Sequence, residues 1–341
     1  MTDFHLLIAD WYRLNKRDLP WRNTKNPYFI WLSEVIMQQT RVDQGTNYYL
    51  KFTTNYPTIK KLAAASEQEI LNDWQGLGYY SRARNLHAAA KFIVNELNGK
   101  FPASFKSILE LKGVGPYTAA AIASFAYDEK VAVVDGNVYR VLSRIFNIDL
   151  PIDSTQGKKT FQELADSLIP DKSPGEFNQA IMEFGALHCT PTQPKCDTCP
   201  FESKCESRAQ NTINLRPVKS KKIAIRKRYF YYCIYSDNKS IVVQKRENKD
   251  IWQHLFEFPL IESSEKLSEK ALFSQIDDHG LSVEKISPEF KHILSHQHIY
   301  AQFIHFNGIP EQLKKNSIHI SSLENHPLPR LIDRYLEGIT D

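Results

Sequence analysis

No run in the 341-residue chain comes near the ~20 consecutive apolar residues that a membrane-crossing helix needs. The opening stretch MTDFHLLIADWYRLNKRDLPW has acids and an aromatic where a secretion signal would carry a basic start and an unbroken apolar run. A cytoplasmic address, without membrane attachment, is therefore expected. An excess of one charge is missing too. With 43 Lys+Arg against 39 Asp+Glu the formal net charge is only +4, which permits nucleic-acid binding without demanding it, because attraction depends on where charges cluster. The chain has no internal repeat and no low-complexity tract. Cysteine is scarce: there are five, and four of them fall within the seventeen residues 189–205. An odd, clustered set in a chain with no secretion signal argues against a disulfide framework and for a metal site.

What is present is a soluble composition, 42% hydrophobic and 24% charged, spread over more residues than one core usually organises, so two domains are expected. From Thr2 to about Ala186 apolar residues recur at helical spacing, as in FHLLIADWYRL, YFIWLSEVIM, Gln68–Trp74 and NLHAAAKFIVNEL, predicting ten or so helices. Ser66, Ser104 and Ser154 are placed to cap helix N-termini. Around 195–222 the periodicity fades and Lys and Arg gather, which reads as a metal loop followed by a linker. Beyond Arg226 the period becomes two, in RYFYYCIY, SIVVQKR, SVEKI and HIYAQFIHF, with a helical piece near 265–276. The expected domains are a helical catalytic domain at 1–207 including the cysteine loop, a linker at 208–225, and an α+β domain at 226–341.

Cys189, Cys196, Cys199 and Cys205 form C-x6-C-x2-C-x5-C, with Pro191, Pro194 and Pro200 bending the loop so that four sulfurs can converge. Four thiolates can hold an iron–sulfur cubane or a tetrahedral zinc. Zinc loops more often present two C-x2-C knuckles, and only one close pair occurs here. Cys233, in a strand-like apolar run, reads as core.

Leu111-Lys112-Gly113-Val114-Gly115-Pro116-Tyr117 sets two glycines in a tight turn, then a proline at a first helical position, then an alanine-rich helix. Glycine lets the backbone approach a ligand, and free N–H groups at the new helix face an anion such as a DNA phosphate. An ordinary helix–turn–helix corner would look similar. Twenty residues on comes Asp135-Gly136-Asn137-Val138-Tyr139-Arg140, where Asp135 can also serve simply as an N-cap. Upstream, Glu34 lies on the otherwise apolar helix Trp31–Val42, and partial burial there would raise its pKa toward that of a useful acid.

These segments, with Gly76-Leu77-Gly78-Tyr79-Tyr80-Ser81-Arg82 and the cysteine spacing, closely resemble MutY-type adenine DNA glycosylases of the endonuclease III, helix–hairpin–helix superfamily, over most of the chain. The resemblance implies a multidomain fold: an all-α helix–hairpin–helix glycosylase domain with a [4Fe–4S] loop, plus a C-terminal α+β MutT (Nudix)-like domain. It implies a monomeric enzyme that acts on double-stranded DNA and hydrolyses the N-glycosidic bond of adenine opposite 8-oxoguanine or guanine. Glu34 would protonate adenine N7 and later help activate water, while Asp135 would stabilise the oxocarbenium ion. Tyr117 and Asn137 would position these groups. Bifunctional relatives carry a nucleophilic Lys where Tyr117 stands, so base removal without a strand cut is implied, with Lys112 close enough for incidental β-elimination.

Gln39 and Tyr79 match wedge positions that offset the cost of flipping a purine, although by residue type alone they could be a surface amide and a core aromatic. Gly113 and Gly115 would contact DNA. The family reads 8-oxoguanine through a loop with a Phe-Ser-His core; here Ser295 and His296 match and Leu294 replaces the ring. Asp250 stands where a glycine is common, and an acid there would repel phosphate unless turned away. His292, His296 and His298 leave a metal open as an alternative. No R-E-x-x-E-E helix follows a glycine, so the MutT-like domain is expected to recognise rather than hydrolyse. A bifunctional lyase and a non-catalytic DNA-binding or redox-sensing protein are the alternatives.

Overall fold

Apolar residues three and four apart need a helix to share a face, and the first two thirds of the chain folds accordingly. The computed structural model describes residues 3–220, 224–276 and 280–338. The outermost residues of the expected domains, and 221–223 of the expected linker, lie outside that description. In chain order the helices are α1 (Phe4–Asn15), α2 (Pro27–Ile36), α3 (Val42–Asn55), α4 (Ile59–Ala64), α5 (Glu67–Asp73), α6 (Ser81–Glu96) and α7 (Phe105–Leu109). They continue with α8 (Pro116–Tyr127), α9 (Gly136–Ile145), α10 (Thr155–Leu168), α11 (Pro174–Leu187) and the short α12 (Glu206–Ala209). Ser66 and Ser104 close capping boxes, and Ser154 accepts from the Gly157 amide, so all three serines cap as their positions suggest.

The chain divides into two compact units, Met1–Ala64 with Asn85–Lys221, and Ala65–Arg84 with Lys222–Asp341. In the first, α11 packs on α1, α8 and α9. The core there is built from Phe4, Trp11, Val141, Ile181 and Phe184, and Phe201 reaches into it from the cysteine loop. Two boundaries differ from the sequence reading. Residues 206–220 do not span a gap: Thr212 and Gln210 bond Asn147, the Val218 carbonyl accepts from Ile152, and Ser220 bonds Asp153. Polar composition hid this, because these contacts are hydrogen bonds rather than apolar burial. Residues 65–84 group with the C-terminal unit. Gln75 donates to Asp333 at 2.8 Å, the Tyr80 hydroxyl donates to the Leu328 carbonyl at 3.3 Å, and His254 meets Glu67 at 2.5 Å.

The C-terminal unit is built on a mixed sheet. Its strands are β1 (Arg226–Ser236), β2 (Ser240–Val242), β3 (Gln244–Lys245), β4 (Phe256–Glu257), β5 (Leu260–Ser263), β6 (Val283–Ile286), β7 (Phe290–Leu294), β8 (Gln297–Asn307) and β9 (Ser317–His319). The order β6-β8-β1-β2-β9 is joined by β5 on β1 and β7 on β8, while β3 and β4 form a separate pair. β1 and β8 run parallel over eleven residues, and both are largely buried, which matches their aromatic and β-branched content. Helix α13 (Glu269–Phe273) follows β5, and the C-terminal helix α14 (Arg330–Glu337) lays Tyr335 flat on Phe303 with ring centroids 3.6 Å apart. The Leu294–His296 stretch, read from sequence as a loop, is the tip of a hairpin: β7 pairs with β8 up to Leu294 opposite Gln297, leaving Ser295 and His296 as the turn.

The acid at position 250 is turned inward. Its carboxylate takes hydrogen bonds from Arg228 at 2.5 and 3.1 Å and from Arg246 at 2.7 Å, and both arginines are buried. Burial alone would raise the Asp250 pKa, but Arg228 and Arg246 draw it down to about 2. The expected repulsion of phosphate is thereby removed. Asp250→Ala would strand part of two buried guanidinium groups, with Glu257 and Glu262 as remaining partners. Thermal or denaturant unfolding of that variant is expected to show a loss of roughly 1–3 kcal/mol; unchanged stability would mean the pair is worth nothing net.

Candidate active site

Helix α2 carries Glu34 on its inward face, where the carboxyl is 9% exposed. Burial drives its pKa up to about 7; the Tyr117 hydrogen bond and the Arg22 charge oppose that rise, while the Asp135 charge adds to it. The Tyr117 hydroxyl donates to Glu34 Oε2 at 2.8 Å and lies 3.6 Å from Met182 Sδ. Burial and the two neighbouring carboxylates keep that phenol protonated. Tyr117 is the second residue of α8, and its placement follows from the turn before it. Gly113 has φ +79°, and a Cβ there would sit 2.5 Å from Asn85 Cβ, so only glycine fits. Gly115 N-caps α8, Pro116 opens it, and the space beside Gly115 is open.

Asp135 caps α9. One carboxylate oxygen accepts from the amides of Asn137 at 2.9 Å and Val138 at 2.8 Å, and the other accepts from Asn137 Nδ2 at 2.7 Å. Burial raises its pKa, against the pull of those donors and of Arg140. The structure thus joins Tyr117 to Glu34 and Asn137 to Asp135 by hydrogen bonds, with the two carboxyls close enough to feel each other's charge. Asn137 is itself held. Arg140 donates to Asn137 Oδ1 at 2.8 Å, to the Gly185 carbonyl at 2.7 Å and to the Cys189 carbonyl at 2.7 Å. One turn further on, Arg144 bonds the Thr190 carbonyl at 2.7 Å, the Pro191 carbonyl at 2.9 Å and the Cys189 sulfur at 3.5 Å. A single helix therefore presents the capping aspartate at one end and grips the cysteine loop along its flank.

The four cysteines line one cavity together with His188, and all four are free thiols. Burial, then the charges of neighbouring sulfurs, push the Cys199 thiol up to about 12 and raise Cys196 and Cys205. Gathering such groups in one place is costly unless a cationic centre joins them. Among the described residues no three His, Cys, Asp or Glu side chains form a group that a single metal ion would occupy. The histidines 292, 296 and 298 likewise form no such group.

Of the residues expected to touch DNA, Gln39 is exposed after α2 with φ +55°, which fits a surface amide. Tyr79, in the C-terminal unit, is 45% exposed with φ +49°, so it is not a core aromatic. Its hydroxyl is 2.6 Å from Ser295 Oγ. The two border a cleft of about 490 Å³ with Trp252, His292, Leu294 and His296, a size suited to a small ligand or base.

Residues 32–168 match the HhH-GPD superfamily of base excision DNA repair proteins, and residues 230–338 match the NUDIX domain. The chain is 37% identical to the adenine DNA glycosylase of Buchnera aphidicola subsp. Baizongia pistaciae over 301 residues, covering 87% of this chain and 84% of that protein. It is 33% identical to that of Buchnera aphidicola subsp. Schizaphis graminum over 340 residues, covering 98% of each. The chain belongs to the MutY-type adenine DNA glycosylase family. Its helical part also superimposes on a thermostable thymine-DNA glycosylase, with TM-score 0.57 and 32% identity over 61% of this chain and 95% of that one. The resemblance to MutY-type glycosylases read from sequence is thus borne out, as is the pairing of a helix–hairpin–helix domain with a NUDIX domain. As a member of this family the chain is a base excision repair glycosylase that binds DNA, and no described helix is long and apolar enough to cross a membrane.

Sequence reading missed a trio in which a buried glutamate holds two arginines, one of them acting on Glu34. Glu183, 1% exposed, accepts from Arg17 and Arg22, with their NH2 groups each 2.7 Å from Oε2. Their charges and bonds pull Glu183 down to about 2 against its burial, and Arg22 in turn acts on Glu34. The signal was present only as two arginines and a glutamate some 160 positions apart, which no local pattern connects. Gly185 was missed as well. A Cβ there would lie 2.7 Å from Asn137 Cβ, so α9 and α11 can approach only because that position is glycine. Gly185→Ala is expected to cost about 1–3 kcal/mol through overpacking and to slow base excision more than it weakens duplex binding. Unfolding curves and single-turnover rates would check both; a variant with wild-type excision would show that α9 tolerates the shift.

Proposed function

We propose that this glycosylase removes adenine paired with 8-oxoguanine or guanine in duplex DNA, by hydrolysis without an intended strand cut. The observation that carries this reading is the hydrogen bond from Tyr117 to a buried Glu34 whose pKa lies near neutrality, with Asp135 nearby. Glu34 delivers its proton to N7 of the flipped adenine, which weakens the glycosidic bond, and Asp135 carries negative charge for the sugar cation that forms. Tyr117 orients the Glu34 carboxyl, and Asn137 steadies Asp135. Glu34, stripped of its proton, then accepts one from the attacking water. Nothing at position 117 can form a Schiff base, which supports monofunctional chemistry.

Gln39 and Tyr79 would enter the duplex beside the extruded base, and Gly113 and Gly115 would bring backbone amides to a phosphate. In the C-terminal unit Ser295 and His296 would read the opposite base by hydrogen bonds. The turn geometry and the neighbouring cleft support this, and Leu294 supplies apolar contact where an aromatic ring would stack. The protein would act as a cytoplasmic, nucleoid-associated monomer. Cys189, Cys196, Cys199 and Cys205 would hold a [4Fe–4S] cluster, which supplies a cationic core that lets four thiolates share one cavity. The C-x6-C-x2-C-x5-C spacing, with a single close pair, favours it over a zinc ion.

Purified protein incubated with duplex containing adenine opposite 8-oxoguanine should release free adenine and leave an abasic strand that breaks only after alkali. Release of no adenine, or efficient borohydride trapping of a protein–DNA adduct, would defeat the reading. Because Glu34 must be protonated to act, the excision rate should fall roughly tenfold per pH unit above its pKa of about 7, and it should fall again in acid as Asp135 takes up a proton. A rate that keeps rising with pH would remove Glu34 from the acid role.

The cluster is tested separately. As-isolated protein should contain about four irons per chain with broad visible absorbance, and Cys199→Ser should lose both. Stoichiometric zinc instead would overturn the cluster assignment and leave the glycosylase assignment standing.

A further inference from the structure

Between α8 and α9 the chain runs extended through Val131–Val134 and delivers Asp135 to the head of α9. Ala132 and Val133 are buried at 2% and 1% exposure, yet the segment belongs to no sheet. A buried extended backbone must find partners for its amides and carbonyls somewhere. Here they come from side chains. On one edge Asn178, fully buried on α11, accepts from the Val133 amide at 3.1 Å through Oδ1 and donates through Nδ2 to the Val131 carbonyl at 2.9 Å. These are the carbonyl and amide flanking Ala132, the same two groups that one residue of a neighbouring parallel strand would satisfy. The second Nδ2 hydrogen goes to Ser124 Oγ at 3.0 Å on α8. On the other edge, Gln162 of α10 donates to the Ala132 carbonyl at 3.2 Å, and Asp166 accepts weakly from the Ala132 amide at 3.4 Å.

We propose that Asn178 is a positioning residue for catalysis: its carboxamide stands in for an absent strand, fixing the Val131–Val133 backbone and with it the place of Asp135 opposite Glu34. Three elements meet at this one amide. α8 carries Tyr117, the extended segment carries Asp135, and α11 carries Met182 and Gly185 beside Tyr117 and Asn137. Asp135 lies two residues past the pinned Val133 amide, so a slip of the segment moves the capping carboxylate directly. This inference rests on the role proposed for Asp135.

The informative variant is Asn178→Asp, which keeps the shape and the Oδ1 acceptor. As an anion it cannot donate to the Val131 carbonyl; protonated, it can. Single-turnover adenine excision at pH 7.5 is expected to fall by roughly 10- to 100-fold, as for an ångström-scale misplacement of a reacting group, while the Kd for substrate duplex changes little. As the pH is lowered the ratio of variant to wild-type rate should rise, because the buried carboxyl regains a proton and the missing donor. Wild-type excision at pH 7.5, or a pH-independent deficit that tracks lost duplex binding and lost thermal stability, would overturn the proposal. If Asn178→Asp does not fold, Asn178→Ser carries the test: it should be soluble, bind duplex and be slow, and full activity there sinks the idea. Asp135→Asn is assayed in parallel. If Asp135→Asn is inactive while Asn178→Asp is fully active, only the positioning claim fails. If Asp135→Asn retains full activity, the role given to Asp135 has failed. In the double variant the two losses should not add, since both act through one carboxylate.

Discussion

A carboxylic acid gives up its proton near neutral pH only when its ionised form is made costly, and burial of Glu34 supplies that cost in this chain. The fold around it is arranged to keep the cost finite. Tyr117 donates one hydrogen bond to the carboxyl, Arg22 offers a positive charge, and the Asp135 charge opposes ionisation. Arg22 is in turn tied to Glu183 together with Arg17. The thermodynamic consequence has a definite sign. The folded chain holds the Glu34 proton more tightly than the unfolded chain does, so stability at this site declines as pH rises from about 4.5 to about 7. The cost of this residue to the folded state is therefore greatest above about pH 7, where Glu34 has lost the proton it must deliver.

The second constraint is geometric. Asp135 is both a helix cap and the proposed anion of the reaction, so its carboxylate is fixed by the same amides that begin α9. That helix then carries Arg140 and Arg144 along the flank that grips the cysteine loop. A disturbance of the loop has a short covalent and hydrogen-bonded route to the cap. The C-terminal unit solves a comparable problem with ions: Arg228, Arg246, Asp250, Glu257 and Glu262 satisfy one another beneath the cleft bordered by Ser295 and Tyr79.

Much of this was legible in the sequence because it is local. Gly113, Gly115 and Pro116 fall where turn and helix start require them, the serine caps sit at their helix starts, and the change of period near Arg226 marks the passage from helices to sheet. The cysteine spacing was legible for the same reason. What escaped was non-local or polar. The Arg17–Arg22–Glu183 trio joins residues far apart in sequence. Asn178 looks like any polar residue on an amphipathic helix until its backbone partners are known. Residues 208–220 read as linker because hydrogen bonds leave no hydrophobic period. The grouping of residues 65–84 with the sheet unit escaped because helical patterning says which residues turn inward, not which unit they join.

That last feature bears on how the chain becomes a protein. The stretch Ala65–Arg84 leaves the ribosome well before the C-terminal residues it bonds, so Glu67, Gln75 and Tyr80 must wait through most of synthesis for His254, Asp333 and Leu328. During that interval those polar groups are left to water. The two units are interleaved along the polypeptide, and cutting the chain at the Asn211–Arg226 region would not separate them: the helical fragment would retain twenty residues that group with the other unit.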